Sequence, residues 1–196
     1  MTLDTVLPLH DALVASRRIA PLPARAAPTR WDVALLAATG VATAVLGATV
    51  KLRIGVPGHA ILTTVLPLSC GLALVPRRRA GTLMGAVGLA TMIALGETSF
   101  GAMTALFATG ALLDVALARA KPGVRLYGAF VAAGAAANLL AFVGRGVGKV
   151  LGFSGTGGAL EVWYGRAILP YLACGAVAGL ASAAAWFHLR GRRSPA

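Results

Sequence analysis

Polar residues able to bind a small molecule lie in three short stretches between long apolar runs. The first stretch, KLRIGVPGHA (51–60), holds Lys51, Arg53 and His59 around a Gly-Val-Pro-Gly turn. Ammonium and guanidinium groups bind carboxylates and phosphates, and an imidazole donates or accepts a hydrogen bond. These residue types predict contacts to an anionic small molecule. A lone histidine in a loop predicts hydrogen bonding and no metal site.

The second and third polar stretches are GETSFG (96–101) and the long GRGVGKVLGFSGTGGALEVWYGR (144–166). Their candidate substrate contacts are Glu97, Arg145, Trp163 and Tyr164. Aromatic faces can stack on a ring while charges orient it, and aromatic residues also form ordinary belts at membrane interfaces. The three stretches carry five basic residues and two acidic ones, which favours an anionic or partly anionic ligand.

Two further polar positions lie inside apolar segments. Asn138 precedes Arg145 in the fifth segment, where its amide either bonds a neighbouring helix or contacts a ligand beneath the polar stretches. Both interpretations stay open at this point. Asp114 lies near the end of the fourth segment with Arg119 close behind it. This spacing predicts an ion pair at the membrane interface.

Membrane-spanning helices must position these residues, because the chain has too few charges to cover a water-soluble surface. The 196 residues are 58% apolar and 12% charged, with a mean hydropathy of +0.80, whereas soluble domains are about a quarter charged. The net charge of +12 comes from basic clusters between apolar runs. That arrangement is typical of loops facing anionic lipid headgroups and not of a nucleic-acid-binding surface.

Six segments approach the roughly 20 mostly apolar residues that a spanning helix needs. They are 31–50, 57–75, 80–96, 100–118, 124–143 and 167–189. The second and third are joined by the turn PRRR (76–79), and three arginines at membrane depth would be too costly for one interrupted span. The sequence therefore predicts an all-α integral membrane protein, with a six-helix bundle over 31–190 between an N-terminal segment (1–30) and a tail (191–196).

The distribution of basic residues predicts the orientation of this bundle. Thirteen of the 18 Lys and Arg residues lie on the side that holds both termini. The positive-inside rule then places residues 1–30 and 191–196 in the cytoplasm (N-in/C-in) and the three polar stretches outside. We therefore expect a multi-pass protein of the cytoplasmic membrane, the inner membrane of a bacterium.

Small residues at helical spacing predict close helix contacts. Ala34, Ala38 and Ala42 recur every four residues and stack along one face of the first segment. Gly81, Gly85 and Gly88 mark a similar face in the third segment. Such faces allow backbones to approach in lipid. The alanine face serves either packing inside the bundle or docking of another membrane subunit.

Catalytic arrangements are not supported by the positions of the polar residues. Ser154, in the glycine-rich run 152–158, is predicted to be extracellular, whereas His188 is predicted at the cytoplasmic end of the last segment. A serine nucleophile needs a base within hydrogen-bond reach, and the bilayer separates these two residues. The sequence also holds no Walker motif and no paired Glu and His of an intramembrane metalloprotease. We expect no enzyme activity, cofactor or metal, and interpret 152–158 as a flexible lid or a re-entrant stretch over a cavity.

Four stretches resemble the substrate-binding (S) components of energy-coupling-factor (ECF) vitamin importers. They are ALLAATGVATA (34–44), KLRIGVPGHAI (51–61), RRRAGTLMGAVGL (77–89) and LLDVAL (112–117). The similarity extends over 31–190 through six Ala/Gly-rich spans with both termini inside. It implies an ECF S-component fold with an outward-opening pocket for a vitamin or other micronutrient. The sequence lacks a pocket signature for thiamine, biotin or riboflavin and the N-terminal histidine motif of the nickel and cobalt members.

The resemblance also implies partners. The alanine face of Ala34, Ala38 and Ala42 would dock on a transmembrane coupling subunit, which a pair of ATPases drives. Transport would follow from the whole bundle toppling in the bilayer. The alternative is a six-helix scaffold or regulatory protein without transport activity. A self-sufficient carrier is disfavoured because no charged residue lies at mid-membrane in the predicted spans.

Overall fold

The computed structural model describes residues 29–50, 58–97, 99–119, 124–150 and 160–191. Within these ranges every regular element longer than one turn is an α-helix. The six helices are α1 (Arg30–Thr49), α2 (Leu62–Leu74), α3 (Ala80–Ala94), α4 (Phe100–Arg119), α5 (Val124–Val150) and α6 (Leu160–Gly191). A short 3₁₀ turn, His59–Ile61, leads into α2. The predicted all-α class is confirmed for the described residues.

Four of the described helices, α1, α4, α5 and α6, are long and apolar enough to cross a membrane. They indicate a multi-pass membrane protein. The other two helices are shorter. At 1.5 Å per residue, the stretch from His59 to Leu74 and helix α3 measure roughly 24 and 22 Å, against about 30 Å of bilayer hydrocarbon. The span count from helix length is therefore four, and six spans remain a prediction.

Helices α5 and α6 extend further than the apolar runs predicted. Both enter the stretch 144–166, because α5 continues to Val150 and α6 begins at Leu160. The prediction of a loop throughout that stretch is wrong at both ends. Val143, Val147 and Val150 are exposed at helical spacing and continue the outward apolar stripe of α5, which explains its extra turns despite the intervening glycines.

Paired side chains at one end of the bundle define where α1 starts. Thr29 and Asp32 form a capping box, with the Asp32 backbone N–H donating to Thr29 Oγ1 at 3.2 Å and the Thr29 N–H donating to Asp32 Oδ2 at 3.0 Å. The same Asp32 carboxylate lies 2.7 Å from Arg77 in the turn between α2 and α3. These contacts join two neighbouring elements at one end of the bundle.

We call this the basic end, and the other end the opposite end. The basic end holds Arg30, Arg77, Arg78, Arg79, Arg119, Arg125 and Arg190. Its interior is aromatic: Tyr127 stacks on Phe187 with ring centroids 4.7 Å apart, and Phe187 meets Trp186 edge-on at 5.1 Å. Trp186 and Phe130 have no exposed surface. The opposite end holds Gly58, Glu97, Gly101 and Arg145.

Glycines let neighbouring helices approach to backbone distance. A Cβ added to Gly175 on α6 would lie 2.7 Å from the Cα of Ala135 and 2.9 Å from the Cβ of Asn138 on α5. Neighbouring atoms do not approach a real Cβ so closely. Gly81 and Gly88 of α3 are also buried against neighbouring helices. Small residues therefore mediate helix packing here, as the sequence predicts.

The alanine face of α1 lies outside these contacts. Ala34, Ala38 and Ala42 are all exposed, and the buried side of α1 is formed by Leu36, Gly40, Thr43 and Ala44. In the apolar part of α1, 22% of the residues are buried, compared with 39–44% in the other three long helices. Packing inside the bundle is therefore the wrong interpretation for these three alanines.

Candidate functional site

A small cavity lies at the opposite end, enclosed by α1, α4, α5 and the start of α2. Measured as the space open to the centres of water molecules, it is about 50 Å³, which accommodates roughly four waters. Its polar lining consists of Thr43, Thr63, Thr64, Asn138 and Arg145. The remaining wall is apolar or glycine. The cavity is therefore mostly apolar, with a few polar side chains from α1, α2 and α5.

Asn138 ties three elements together beneath this cavity. Its side-chain amide donates to the carbonyl oxygen of Gly58 at 3.1 Å and to that of Tyr171 at 2.7 Å. The side chain is 2% exposed. Of the two interpretations that the sequence left open, the contact with neighbouring helices is confirmed. Asn138 also lines the cavity, so the structure leaves a ligand contact possible for its amide oxygen.

Gly58 receives this bond because it has no side chain. Its φ of +88° lies in the left-handed region, which glycine adopts without a steric penalty. A Cβ at this position would lie 2.9 Å from the amide nitrogen of Asn138 and 3.0 Å from the Cα of Tyr171. The backbone turn into α2 is thereby held directly against α5 and α6.

Arg145 is the cationic group of the cavity. Its guanidinium donates to the hydroxyl of Tyr171 and lies over the same ring, 5.6 Å from the centroid. Gly101 on α4 makes room for the arginine, because a Cβ there would lie 3.1 Å from the Arg145 Nε. Phe142 packs against the Tyr171 ring from another side, with centroids 4.9 Å apart.

The charge of Arg145 is not neutralised by a described acid. Among the residues that the structure describes, no carboxylate lies within salt-bridge distance of its guanidinium. The side chain is half-buried, and a guanidinium has several N–H donors in a fixed fork. The guanidinium is thus able to bind a carboxylate or phosphate group. The Asn138 amide nitrogen already donates to two carbonyl groups, so its oxygen is left to accept a hydrogen bond from another part of a ligand.

His59 and Glu97 lie at the same end but outside the cavity lining. His59 is half-buried at the first position of the 3₁₀ turn, directly after Gly58. The Glu97 carboxylate accepts a hydrogen bond from the backbone N–H of Ser99 at 2.9 Å, which shapes the turn into α4. Both residues are therefore placed near the site, and neither contacts the cavity directly.

The remaining predicted contacts lie outside the described part of the chain. Lys51 and Arg53 fall in 51–57, and the proposed lid 152–158 falls in 151–159. Trp163 and Tyr164 belong to the first turns of α6, where the backbone is helical and the side chains are not described. Their roles at the site remain predictions.

Tyr171 is the main site residue that sequence reasoning missed. It is 1% exposed and contacts both Asn138 and Arg145. The available signal was its place directly after Pro170 within an apolar segment. A proline inside a helix removes a backbone hydrogen bond, and a tyrosine hydroxyl buried beside it needs a partner.

Asp114, at the basic end, corrects the predicted ion pair with Arg119. Its carboxylate accepts hydrogen bonds from the backbone N–H groups of Gly81 at 2.9 Å and Thr82 at 2.7 Å, and from the Thr82 hydroxyl at 2.6 Å. The carboxylate therefore caps the N-terminus of α3 from a different helix. An anion is favoured there by the helix dipole and the unpaired N–H groups, and Gly81 allows the approach.

Neither a family model, nor a curated protein, nor a solved structure matches this chain. Function is therefore inferred from the residues of the cavity and from the resemblance in sequence features.

Proposed function

We propose that the protein is the membrane-embedded substrate-binding component of an ECF-type importer. In this proposal it captures a vitamin or other micronutrient at the extracellular face of the cytoplasmic membrane. The observation that carries the proposal is Arg145, a half-buried guanidinium without a described carboxylate partner, beside the buried amide of Asn138. Both line one cavity at the end that the charge distribution predicts to be extracellular.

A cation in the position of Arg145 is energetically costly. Arginine within a membrane protein is expensive and normally pairs with an acid, a carbonyl or water in a cavity. The hydroxyl and ring of Tyr171 orient Arg145 without neutralising it. An anionic group of a ligand would supply the missing charge. The cavity of about 50 Å³ suits such a group. In this proposal Lys51, Arg53, Trp163 and Tyr164 remain the predicted contacts for the rest of the ligand.

The exposed face of α1 supports the partner part of the proposal. Ala34, Ala38 and Ala42 face away from the bundle, on the least enclosed of the long helices. Small residues there allow another membrane helix to approach closely. In the proposed assembly a transmembrane coupling subunit docks on this face, and a pair of ATPases supplies the energy. The six spans with both termini in the cytoplasm belong to the same proposal.

The proposed ligand capture is tested by identifying what the protein carries out of its native membrane. Protein purified in mild detergent would be denatured, and the released small molecules compared by untargeted mass spectrometry. We expect an anionic compound in the wild type and in Arg78→Gln, an exposed charge at the basic end, and its loss in Arg145→Gln. The same released compounds from the wild type and Arg145→Gln would contradict the proposal.

A scaffold or regulatory protein is the second candidate, and one observation favours it. The cavity of about 50 Å³ is far below the roughly 300–1,000 Å³ of ordinary ligand pockets. Under this hypothesis Arg145 and Tyr171 only clamp α5 to α6. The scaffold predicts that Arg145→Gln lowers the free energy of unfolding and changes no bound small molecule.

A further inference from the structure

A second, larger cavity lies on the other side of the molecule, between α4 and α5 at the basic end. It is a groove of about 470 Å³, open along its side. Residues of α4 and α5 that define it are Leu112, Ala116, Arg119, Arg125, Ala132 and Ala136. It shares no residue with the cavity around Arg145, and its occupant does not depend on the function proposed above.

The groove exists because one wall is built from short side chains. Ala129, Ala132, Ala133 and Ala136 line it from α5. Methyl groups cannot fill the space opposite Leu112 and Val115 of α4, and Val115 remains 44% exposed. The result is an apolar groove on the surface of the α4–α5 pair. Its shape and polarity suit a hydrocarbon chain.

Both charged residues of the groove are basic and lie at the same end of it. Arg119 closes α4 and Arg125 stands in the first turn of α5. Both side chains are exposed, and neither forms a salt bridge among the described residues. The nearby acid, Asp114, is engaged in capping α3. Two guanidinium forks beside an apolar groove complement a phosphate attached to hydrocarbon.

We propose that this groove binds an anionic glycerophospholipid, with an acyl chain along the alanines and the phosphate at Arg119 and Arg125. Basic pockets between membrane helices are suited to anionic lipid headgroups. The two arginines require an anionic group, and the apolar groove requires a hydrocarbon chain. A zwitterionic lipid or a soluble anion satisfies only one of these two requirements.

The test measures lipid binding to the purified full-length protein by native mass spectrometry. Dioleoylphosphatidylglycerol would be titrated beside dioleoylphosphatidylcholine and soluble glycerol 3-phosphate. We expect the wild type to prefer phosphatidylglycerol. The double variant Arg119→Gln/Arg125→Gln should bind it about 25-fold more weakly, since each basic residue near an anionic lipid contributes roughly fivefold. The matched control Arg78→Gln/Arg79→Gln, two exposed arginines of the same end, should stay within about twofold.

A second variant tests the apolar groove independently of the arginines. Ala132 is exposed and lines the groove, so Ala132→Leu should fill it from the outside and weaken phosphatidylglycerol binding while the charges remain. Equal binding of the two lipids by the wild type would overturn the proposal. So would unchanged phosphatidylglycerol binding in both variants, or binding of glycerol 3-phosphate as tight as that of the lipid.

Discussion

The two ends of the bundle use their polar residues in different ways. At the basic end, Asp114 caps α3 and Asp32 pairs with Arg77, so each described acid is engaged by the fold. At the opposite end, Arg145 lines a cavity without a described carboxylate, and its contact is the neutral Tyr171. Charges that stabilise a fold come with a partner of opposite sign or a helix terminus. Arg145 has neither among the described residues, which is why we propose that a ligand supplies the anion.

The two ends also differ in the size of the side chains that pack in their interiors. Trp186, Phe130 and Phe187 fill the interior near the basic end. Threonines, glycines and alanines surround the cavity at the opposite end. The large rings fill the interior of the basic end, where the groove between α4 and α5 lies on the surface, whereas short side chains leave an internal cavity at the opposite end. Substitutions of buried residues at the basic end should therefore reduce stability, whereas substitution of Arg145 in the cavity of the opposite end should mainly reduce binding.

The largest loss of stability is expected from Asp114→Ala. This change removes a carboxylate that accepts three hydrogen bonds and leaves the N–H groups of Gly81 and Thr82 without it. Bonds to charged groups contribute about 1.5–3 kcal/mol each and are not additive, so we expect a loss of about 4 kcal/mol in the free energy of unfolding. Denaturant titration in detergent micelles measures it.

The control for that prediction is Arg119→Gln in lipid-free detergent. Because Arg119 is exposed and Asp114 bonds α3 instead, the variant should unfold within about 0.5 kcal/mol of the wild type. Equal destabilisation by both variants would support an ion pair between Asp114 and Arg119 and contradict the capping of α3 by Asp114.

The next largest effect is expected from Gly175→Ala, at the contact between α5 and α6. The added Cβ would meet backbone atoms of Gly134 and Ala135, which cannot move aside. Overpacking of this kind costs about 3 kcal/mol. Gly128→Ala is the matched control, since a Cβ there meets nothing within 4 Å. That control should be neutral or slightly stabilising, because alanine is the better helix former. Similar melting curves for both variants would refute the close contact.

A smaller loss is expected from Asn138→Ala, because Asn138 both joins neighbouring helices and lines the cavity. The variant removes the donor to the Gly58 carbonyl, so the start of α2 loses its bond to α5. We expect about 2 kcal/mol from the lost hydrogen bonds at a buried site. Amide hydrogen exchange should increase selectively in 58–62 and remain unchanged in α3. Uniform exchange across the chain would instead indicate global destabilisation.

The smallest effect on stability, and the sharpest contrast with Asp114, is expected from Arg145→Gln. The loss of a charge-assisted bond to the Tyr171 hydroxyl, at a half-buried position, predicts a change of about 1.5 kcal/mol. Ligand release, measured by mass spectrometry, should nevertheless fall by at least about tenfold, because charge-assisted bonds to an anion are the strong ones. A destabilisation as large as that of Asp114→Ala would assign Arg145 to the fold.

The sequence predicts the helices better than it predicts the partners of their polar residues. Each of the six apolar runs corresponds to one helix, because hydropathy is a local property. Asn138 and Arg145 lie on one face of α5 by their spacing, two helical turns apart, so local periodicity brings them to the same cavity. The contacts of Asn138 with Gly58 and Tyr171 depend on how distant helices pack, which composition does not encode.

Asp114 illustrates why a local rule failed. Arg119 is the nearest cation in sequence, whereas the N-terminus of α3 is distant in sequence and reaches the carboxylate only because Gly81 lets α3 and α4 approach. By contrast, helix α5 continues past its apolar run because exposed valines at helical spacing extend its apolar stripe. Tertiary contact decided the partner of Asp114, whereas a local pattern extended α5.

Affinity purification from native membranes in mild detergent, followed by mass spectrometry of the co-purified proteins, tests the importer proposal most directly. The wild type should retain a transmembrane coupling subunit and two ATPases. Ala38→Leu, on the exposed face of α1, should lose them, while Leu180→Ala, an exposed position on α6, should keep them. Reproducible recovery of unrelated proteins without ATPases would contradict the importer and support the scaffold.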